Sequence, residues 1–161
     1  MKTLFVLRHG QAIPESQADS DHARELTPRG VAEARRAAES LVARADAPSL
    51  ILSSSATRAL QTAEACALAL AGRAVLKKVD GLYLAEPSSY LAALGQLAEP
   101  HASVMVVGHN PGLEALIYML TDRSEHLATA SLVEITLAIS AWAELSGKGP
   151  HLGRVAHTFR A

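Results

Sequence analysis

Four side chains at the ends of apolar runs carry the chemistry of this sequence. The stretch "FVLRHGQA", residues 5–12, brings Arg8 and His9 to the end of a short buried run. Residues 102–112, "ASVMVVGHNPG", repeat the pattern and end on Gly108 and His109. Between them "SLILSSS" closes on Ser53, Ser54 and Ser55, and Arg58 follows one helical turn later. Two imidazoles and two guanidiniums at one point make a poor apolar pocket and a good oxyanion pocket. Arginine presents a planar donor fork that matches phosphate oxygens. Helix N-termini at about residues 56 and 111 add backbone N–H donors and positive dipole ends. Cations crowded in this way repel one another until an anion arrives, and a tetrahedral dianion relieves that repulsion. Arg58 makes the same point alone, because a first helical turn disfavours a cation that has no anionic partner.

The familiar phosphate-binding and metal-binding signatures are missing. There is no GxxxxGK[ST] loop and no GxGxxG turn after a strand. There is no HExxH and no dense His/Asp cluster with ligand spacing, so no metal or other cofactor is expected. A phosphoryl group held only by side chains and helix ends still needs a nucleophile, and histidine can serve. A neutral ring nitrogen attacks phosphorus, a phosphohistidine forms, and water releases phosphate.

The elements that must position these groups follow from local pattern. Residues 2–8 read as a buried strand: short, with β-branched and aromatic residues, and stopped by a glycine. Residues 11–26 read as a long polar loop containing Pro14 and the cluster Asp19, Ser20, Asp21, His22. Thr27 and Pro28 are N-cap and first helical residue of the next segment. Val31, Ala34, Ala38, Leu41 and Val42 are expected on its buried face, and Pro48 is expected to stop it. Residues 49–55 form a second strand, and residues 56–72 a second helix ended by Gly72. "AVLKKV" is a short strand. Residues 80–90 are expected as a loop, and Tyr90 to Leu97 as a helix ended near Pro100. After the valine-rich strand Asn110 is expected to cap a helix opened by Pro111 and running to about Leu120. "SLVEITLAIS" and "GRVAHTFRA" read as late strands, an antiparallel hairpin.

Alternation of strands and helices predicts an α/β fold with a mainly parallel sheet. Ligand sites in such sheets lie beyond the carboxyl ends of the strands. Arg8–His9, Ser53–Ser54 and His109 all leave strands there, so parallel strands would bring them to one edge.

Bulk composition is consistent with one domain over residues 1–161. A chain of 161 residues with 49% hydrophobic residues can bury a sizeable core. The formal net charge is −1, with no long basic run, which argues against a nucleic-acid surface. One cysteine, Cys66, excludes an intramolecular disulfide, and it reads as a small core residue. The N-terminal apolar run, Leu4 to Leu7, is too short for a signal sequence. No stretch approaches the roughly 20 apolar residues of a membrane span, and the expected compartment is the cytoplasm.

Four motifs in order carry a family resemblance. "LRHGQA" resembles the RHG signature of the histidine phosphatase superfamily, which includes the phosphoglycerate mutases. "SSATRALQTA" resembles its second arginine motif, and "VVGHNPGL" its second histidine motif. "DHARELTPRG" resembles the SixA-type phosphohistidine phosphatases. The likeness runs from about residue 2 to residue 120. It implies a three-layer α/β/α sandwich of phosphoglycerate mutase type. It implies His9 as the phosphorylated nucleophile, Arg8 and Arg58 as clamps on the phosphoryl oxygens, and His109 as stabiliser of the transferring group. Ser54, Asn110 and Arg24 are secondary phosphate contacts on this reading. The implied substrate is phosphohistidine on a signalling protein, with inorganic phosphate as product.

The general acid is less well marked. Larger members of the superfamily carry a glutamate on an insertion before the second histidine, and the short stretch from Thr62 to Gly108 leaves no room for one. Asp21 fits the SixA-type pattern best, followed by Glu86 and Asp19. Chemistry relaxes the requirement: an alkoxide leaving group needs a positioned proton donor, whereas imidazole leaves far more readily. A small-molecule phosphomonoesterase or mutase is the enzymatic alternative, and a phosphate-sensing module without turnover the alternative from another class. His22, His101, His126, His151 and His157 read as surface or packing residues. Tyr83 and Tyr90 either line the mouth or pack.

Overall fold

A computed structural model describes residues 1–98, 101–146 and 152–161. Pro100 and His151 lie outside them. Strands β1 (Lys2–Arg8), β2 (Leu50–Ser54), β3 (Val75–Val79), β4 (Ser103–Gly108), β5 (Leu132–Leu137) and β6 (Gly153–Phe159) form one sheet in the order β3-β2-β4-β1-β5-β6. The β3-β2, β2-β4 and β4-β1 pairs are parallel, and β5 runs antiparallel to both of its neighbours, β1 and β6. The sheet is therefore mixed, parallel where the site lies, and the late strands are the expected antiparallel pair.

Period-two alternation sends side chains to the two faces. Leu4, Val6, Leu52, Val104 and Val106 enter one core, which also takes in Tyr90, Leu94, Leu113, Leu116 and Ile117. Phe5, Leu7, Ile51, Met105 and Val107 enter the other, with Ala38, Leu41, Ala59, Ala63 and Cys66. Helices α1 (Pro28–Val42) and α2 (Thr57–Ala69) thus cover one face, and α3 (Pro87–Gly95) and α4 (Gly112–Thr121) the other. This is the three-layer sandwich. Full burial of each Leu, Val or Ile contributes about 1.5–3 kcal/mol, so the strands are pinned from both sides. Cys66 is one of these packing residues, and burial pushes its thiol up to about 12.

Three local expectations are corrected. Val31 and Val42 are 47% and 45% exposed. The buried stripe of α1 is instead Gly30, Glu33, Ala34, Ala37, Ala38 and Leu41, because small residues let α1 approach its neighbours closely. Helix α3 begins at Pro87 rather than Tyr90, proline being pre-set for a first helical position. Asn110 does not cap α4. Pro111 is the N-cap residue, and the Asn110 amide is taken by Glu114 and the Leu127 carbonyl.

Candidate active site

Strand register brings the two histidines together. Arg8 pairs with Gly108 across β1 and β4, so the next residues, His9 and His109, leave adjacent strands side by side. Their ring centroids are 5.2 Å apart, and both are buried. Strand β2 ends at Ser54 on the far side of β4, and α2 returns Arg58 over the same edge. Arg58 is 3% exposed. Its Nε lies 3.3 Å from His9 Nε2 and its NH2 3.4 Å from His109 Nδ1.

These contacts settle the proton positions, because the partners have fixed roles. The Gly10 carbonyl can only accept, and it lies 2.7 Å from His9 Nδ1. Nδ1 of His9 therefore carries the hydrogen. Arginine can only donate, so His9 Nε2 presents its lone pair to Arg58. The same logic makes His109 Nδ1 an acceptor, and His109 Nε2 donates to Ser54 Oγ at 2.7 Å. Burial holds His9 down to about 4, and the positive charges of Arg58, Arg8 and Arg24 press the same way against the Gly10 hydrogen bond. His109 is held down to about 3, first by burial and then by His9 and Arg58. Both rings are neutral at physiological pH.

Arg8 donates from NH1 to the Leu127 carbonyl at 2.8 Å, and its buried Nε has no hydrogen-bond partner among the described residues. Burial works against its charge, and Glu114 and Glu33 support it. Glu114 Oε1 accepts from Leu127 N and from Asn110 Nδ2. The segment that meets Arg8 is thereby tied to α4.

Asp21 sits at the mouth on the 20s loop. Its carboxylate accepts from Tyr83 Oη at 2.5 Å, Arg24 NH1 at 2.9 Å and Arg58 NH2 at 3.2 Å. Its backbone carbonyl accepts from Arg58 NH1 at 2.7 Å. The Tyr83 hydrogen bond, then Arg24 and Arg58, hold this carboxyl well below the usual carboxylate range. It is an ion and carries no proton to give. Asp19, on the same loop, and Glu86, the N-cap residue of α3, are both exposed.

The remaining sequence-selected residues fall into place around this centre. Ser54 is fully buried and its hydroxyl is spent on His109 and on Ala56 N, so it orients that imidazole instead of facing a ligand. Arg24 is turned onto Asp21 and the Ile13 carbonyl. Tyr83 lines the mouth, edge-on to His109 and to the exposed His22. Tyr90 lies in the core, its hydroxyl accepting from His109 N at 3.4 Å. His101 packs against Ser49, His126 is 85% exposed beside Glu114, and His157 is exposed on β6.

One site residue goes beyond the expected set. Thr62 Oγ1 accepts from Gly10 N at 3.1 Å and donates to the Arg58 carbonyl at 2.8 Å. It therefore ties the loop carrying His9 to the turn carrying Arg58. Its position four residues after Arg58 on one helix face is the signal that could have found it. Among the described residues no group of three or more His, Cys, Asp or Glu side chains is placed to hold a metal ion. Among them, too, no helix is long and apolar enough to cross a membrane.

Comparison with known proteins adds an independent line. The profile of the histidine phosphatase superfamily, branch 1, matches residues 4–82. An uncharacterised chloroplastic protein of Arabidopsis thaliana is 32% identical over 169 aligned positions, covering 92% of this chain and 73% of its own. A solved structure from Agrobacterium tumefaciens, described as a candidate phosphohistidine phosphatase SixA, is 27% identical with a TM-score of 0.83. That match covers 99% of this chain and 98% of the other. The protein histidine phosphatase SixA in complex with tungstate is 25% identical with a TM-score of 0.81, covering 98% and 96%.

Proposed function

This chain belongs to the histidine phosphatase superfamily, and on that premise we propose that it is a phosphatase whose covalent nucleophile is His9 and whose substrate is phosphohistidine on a signalling protein. The observation that carries this reading is the state of His9: a neutral ring, Nδ1–H pinned on Gly10, and the Nε2 lone pair aimed into the cationic pocket.

The chemistry balances without an enzymatic acid. His9 Nε2 attacks phosphorus and forms the new P–N bond. The substrate ring enters protonated on its free nitrogen, as an imidazolium. Its P–N bond breaks, the electron pair stays on the departing ring, and the imidazole leaves neutral with that hydrogen still on the other nitrogen. Water then attacks the phosphoryl group on His9, the P–Nε2 bond breaks, and His9 regains its lone pair. Phosphate leaves as the monoanion carrying both hydrogens of the water. Arg8 and Arg58 hold the equatorial oxygens through both steps. A phosphoryl dianion raises the proton affinity of His109; that ring takes a proton from solvent on Nδ1, donates it to the same oxygens, and returns it to solvent when phosphate leaves.

One observation favours a phosphoramidate over an ester: Asp21 is ionised, so the residue best matched to a general acid has no proton for an alkoxide. The match to SixA with tungstate, an oxyanion of phosphate-like charge and shape, supports a phosphoryl pocket in either case. The deciding experiment is paired turnover by wild type and His9→Ala on a phosphohistidine-bearing protein and on p-nitrophenyl phosphate, with chelator present. Faster release from the protein, and acid-labile phosphate trapped on wild type but absent from His9→Ala, is the expected result. Preference for a small ester or sugar phosphate would give the substrate assignment to a small-molecule phosphomonoesterase or mutase. Phosphate binding without turnover would leave a sensing module.

A further inference from the structure

Arg58 has no idle side of its guanidinium. Nε faces His9 Nε2, NH1 faces the Asp21 carbonyl at 2.7 Å, and NH2 faces both the Asp21 carboxylate at 3.2 Å and His109 Nδ1. A phosphoryl group taken up at His9 has to replace these contacts. The two imidazoles are neutral and give way without electrostatic cost. Asp21 is different, because it is the carboxylate ion-paired with Arg58. The dianion must both take NH2 from it and sit near its charge.

We propose that Asp21 is a resident anion, a built-in competitor that holds Arg58 while the site is empty and weakens its grip on product phosphate. This rests on the phosphatase reading and deepens it. The geometry fits an exchange. Asp21 keeps two other donors, Tyr83 Oη and Arg24 NH1, so it need not follow Arg58. The 20s and 80s loops that supply these donors hold the carboxylate at the rim, 28% exposed, where it can turn toward water. The cation that phosphate needs therefore stays charged, oriented and neutralised between turnovers. A strong oxyanion pocket without such a competitor would be occupied by its own product.

The role differs in sign from general acid catalysis. Removing a proton donor slows ester hydrolysis and leaves phosphate affinity alone. A loosened loop weakens phosphate binding. Removing a competitor strengthens it. The test is binding of inorganic phosphate by calorimetry, with phosphate inhibition of turnover as second readout, for wild type, Asp21→Asn and Asp21→Ala. Both variants are expected to bind phosphate about tenfold tighter, as loss of one nearby partly screened like charge would give. They are expected to be inhibited by correspondingly less of it. Unchanged or weaker phosphate binding in both variants, with wild type binding normally, overturns the competitor role and leaves the phosphatase reading standing. Failure of wild type to bind phosphate at all overturns the phosphatase reading, and the competitor role with it.

Discussion

His9 Nε2 and Arg58 Nε face each other at 3.3 Å, the nucleophilic lone pair against a fixed cation. Burial, seconded by this cation, keeps the imidazole unprotonated, and the contact points its reactive atom at the place where phosphoryl oxygens would gather. A protonated His9 would set two cations against each other and could not attack.

The pH dependence of stability follows from this. His9 and His109 titrate near 4 and 3 when folded, against about 6.5 for a free imidazole. Between about pH 6.5 and 4 the unfolded chain takes up protons that the folded site refuses. Stability therefore falls as pH falls through that window and is flat with respect to these groups above it. Urea unfolding from pH 7.5 to 4.5 should show the midpoint dropping on the acid side, with a shallower drop in His9→Gln. Identical slopes for the two proteins would contradict the depressed titration of His9.

Ser54→Ala removes the acceptor of the His109 Nε2–H and frees that ring to rotate. Turnover should fall by about tenfold, equal to ~1.4 kcal/mol of transition-state stabilisation. The fall should appear in kcat, since His109 acts on the transferring group. Steady-state kinetics on the phosphohistidine protein reads the split. A change confined to KM would place Ser54 in substrate binding.

Thr62→Val strands the Gly10 N–H and the Arg58 carbonyl on the Thr62 side. Leaving buried polar groups without a partner costs about 1–3 kcal/mol, measurable by urea unfolding. Activity should fall further than stability alone explains, because the Gly10 carbonyl sets the His9 tautomer. Thr62→Ser keeps the hydroxyl and should recover most of the lost activity. No recovery would show that the hydroxyl alone does not restore the site and that the methyl is needed to place it.

Gly30→Ala tests the close approach of α1 to the His9 loop. A Cβ there would overlap the Gln11 carbonyl oxygen, a backbone atom that cannot swing aside. Destabilisation of about 1–3 kcal/mol is expected, with loss of activity because Gln11 follows Gly10 directly. Full activity with an unshifted melting temperature would mean that the helix can retreat without disturbing the nucleophile.

Much of the fold was legible because its signals are local. Short apolar runs ending at Gly10 and Gly108 mark buried strands and their exits. Thr27–Pro28 marks the start of α1, and the structure has Thr27 Oγ1 accepting from Gly30 N as a cap should. Where two local signals competed the reading slipped. At Val31 apolarity outweighed the small-residue stripe that packs. At Asn110 the capping preference lost to Glu114, four residues on, and to a carbonyl seventeen residues on.

The sequence by itself determined the order of the strands' exits and the residue types there: Arg8, His9, Ser54, Arg58, His109. Strand ends and first helical turns are written within a few residues, so composition and period suffice to find them. Only the tertiary structure decided what those groups are doing. It turned Ser54 away onto His109, and it made Asp21 the ionised partner of Arg58 where a proton donor was expected. It also set Thr62 and the Leu127 carbonyl behind the two arginines. Each of these relationships joins residues from separate elements through burial and hydrogen bonding. Charge state and tautomer depend on that shared environment, which no local stretch of the chain specifies.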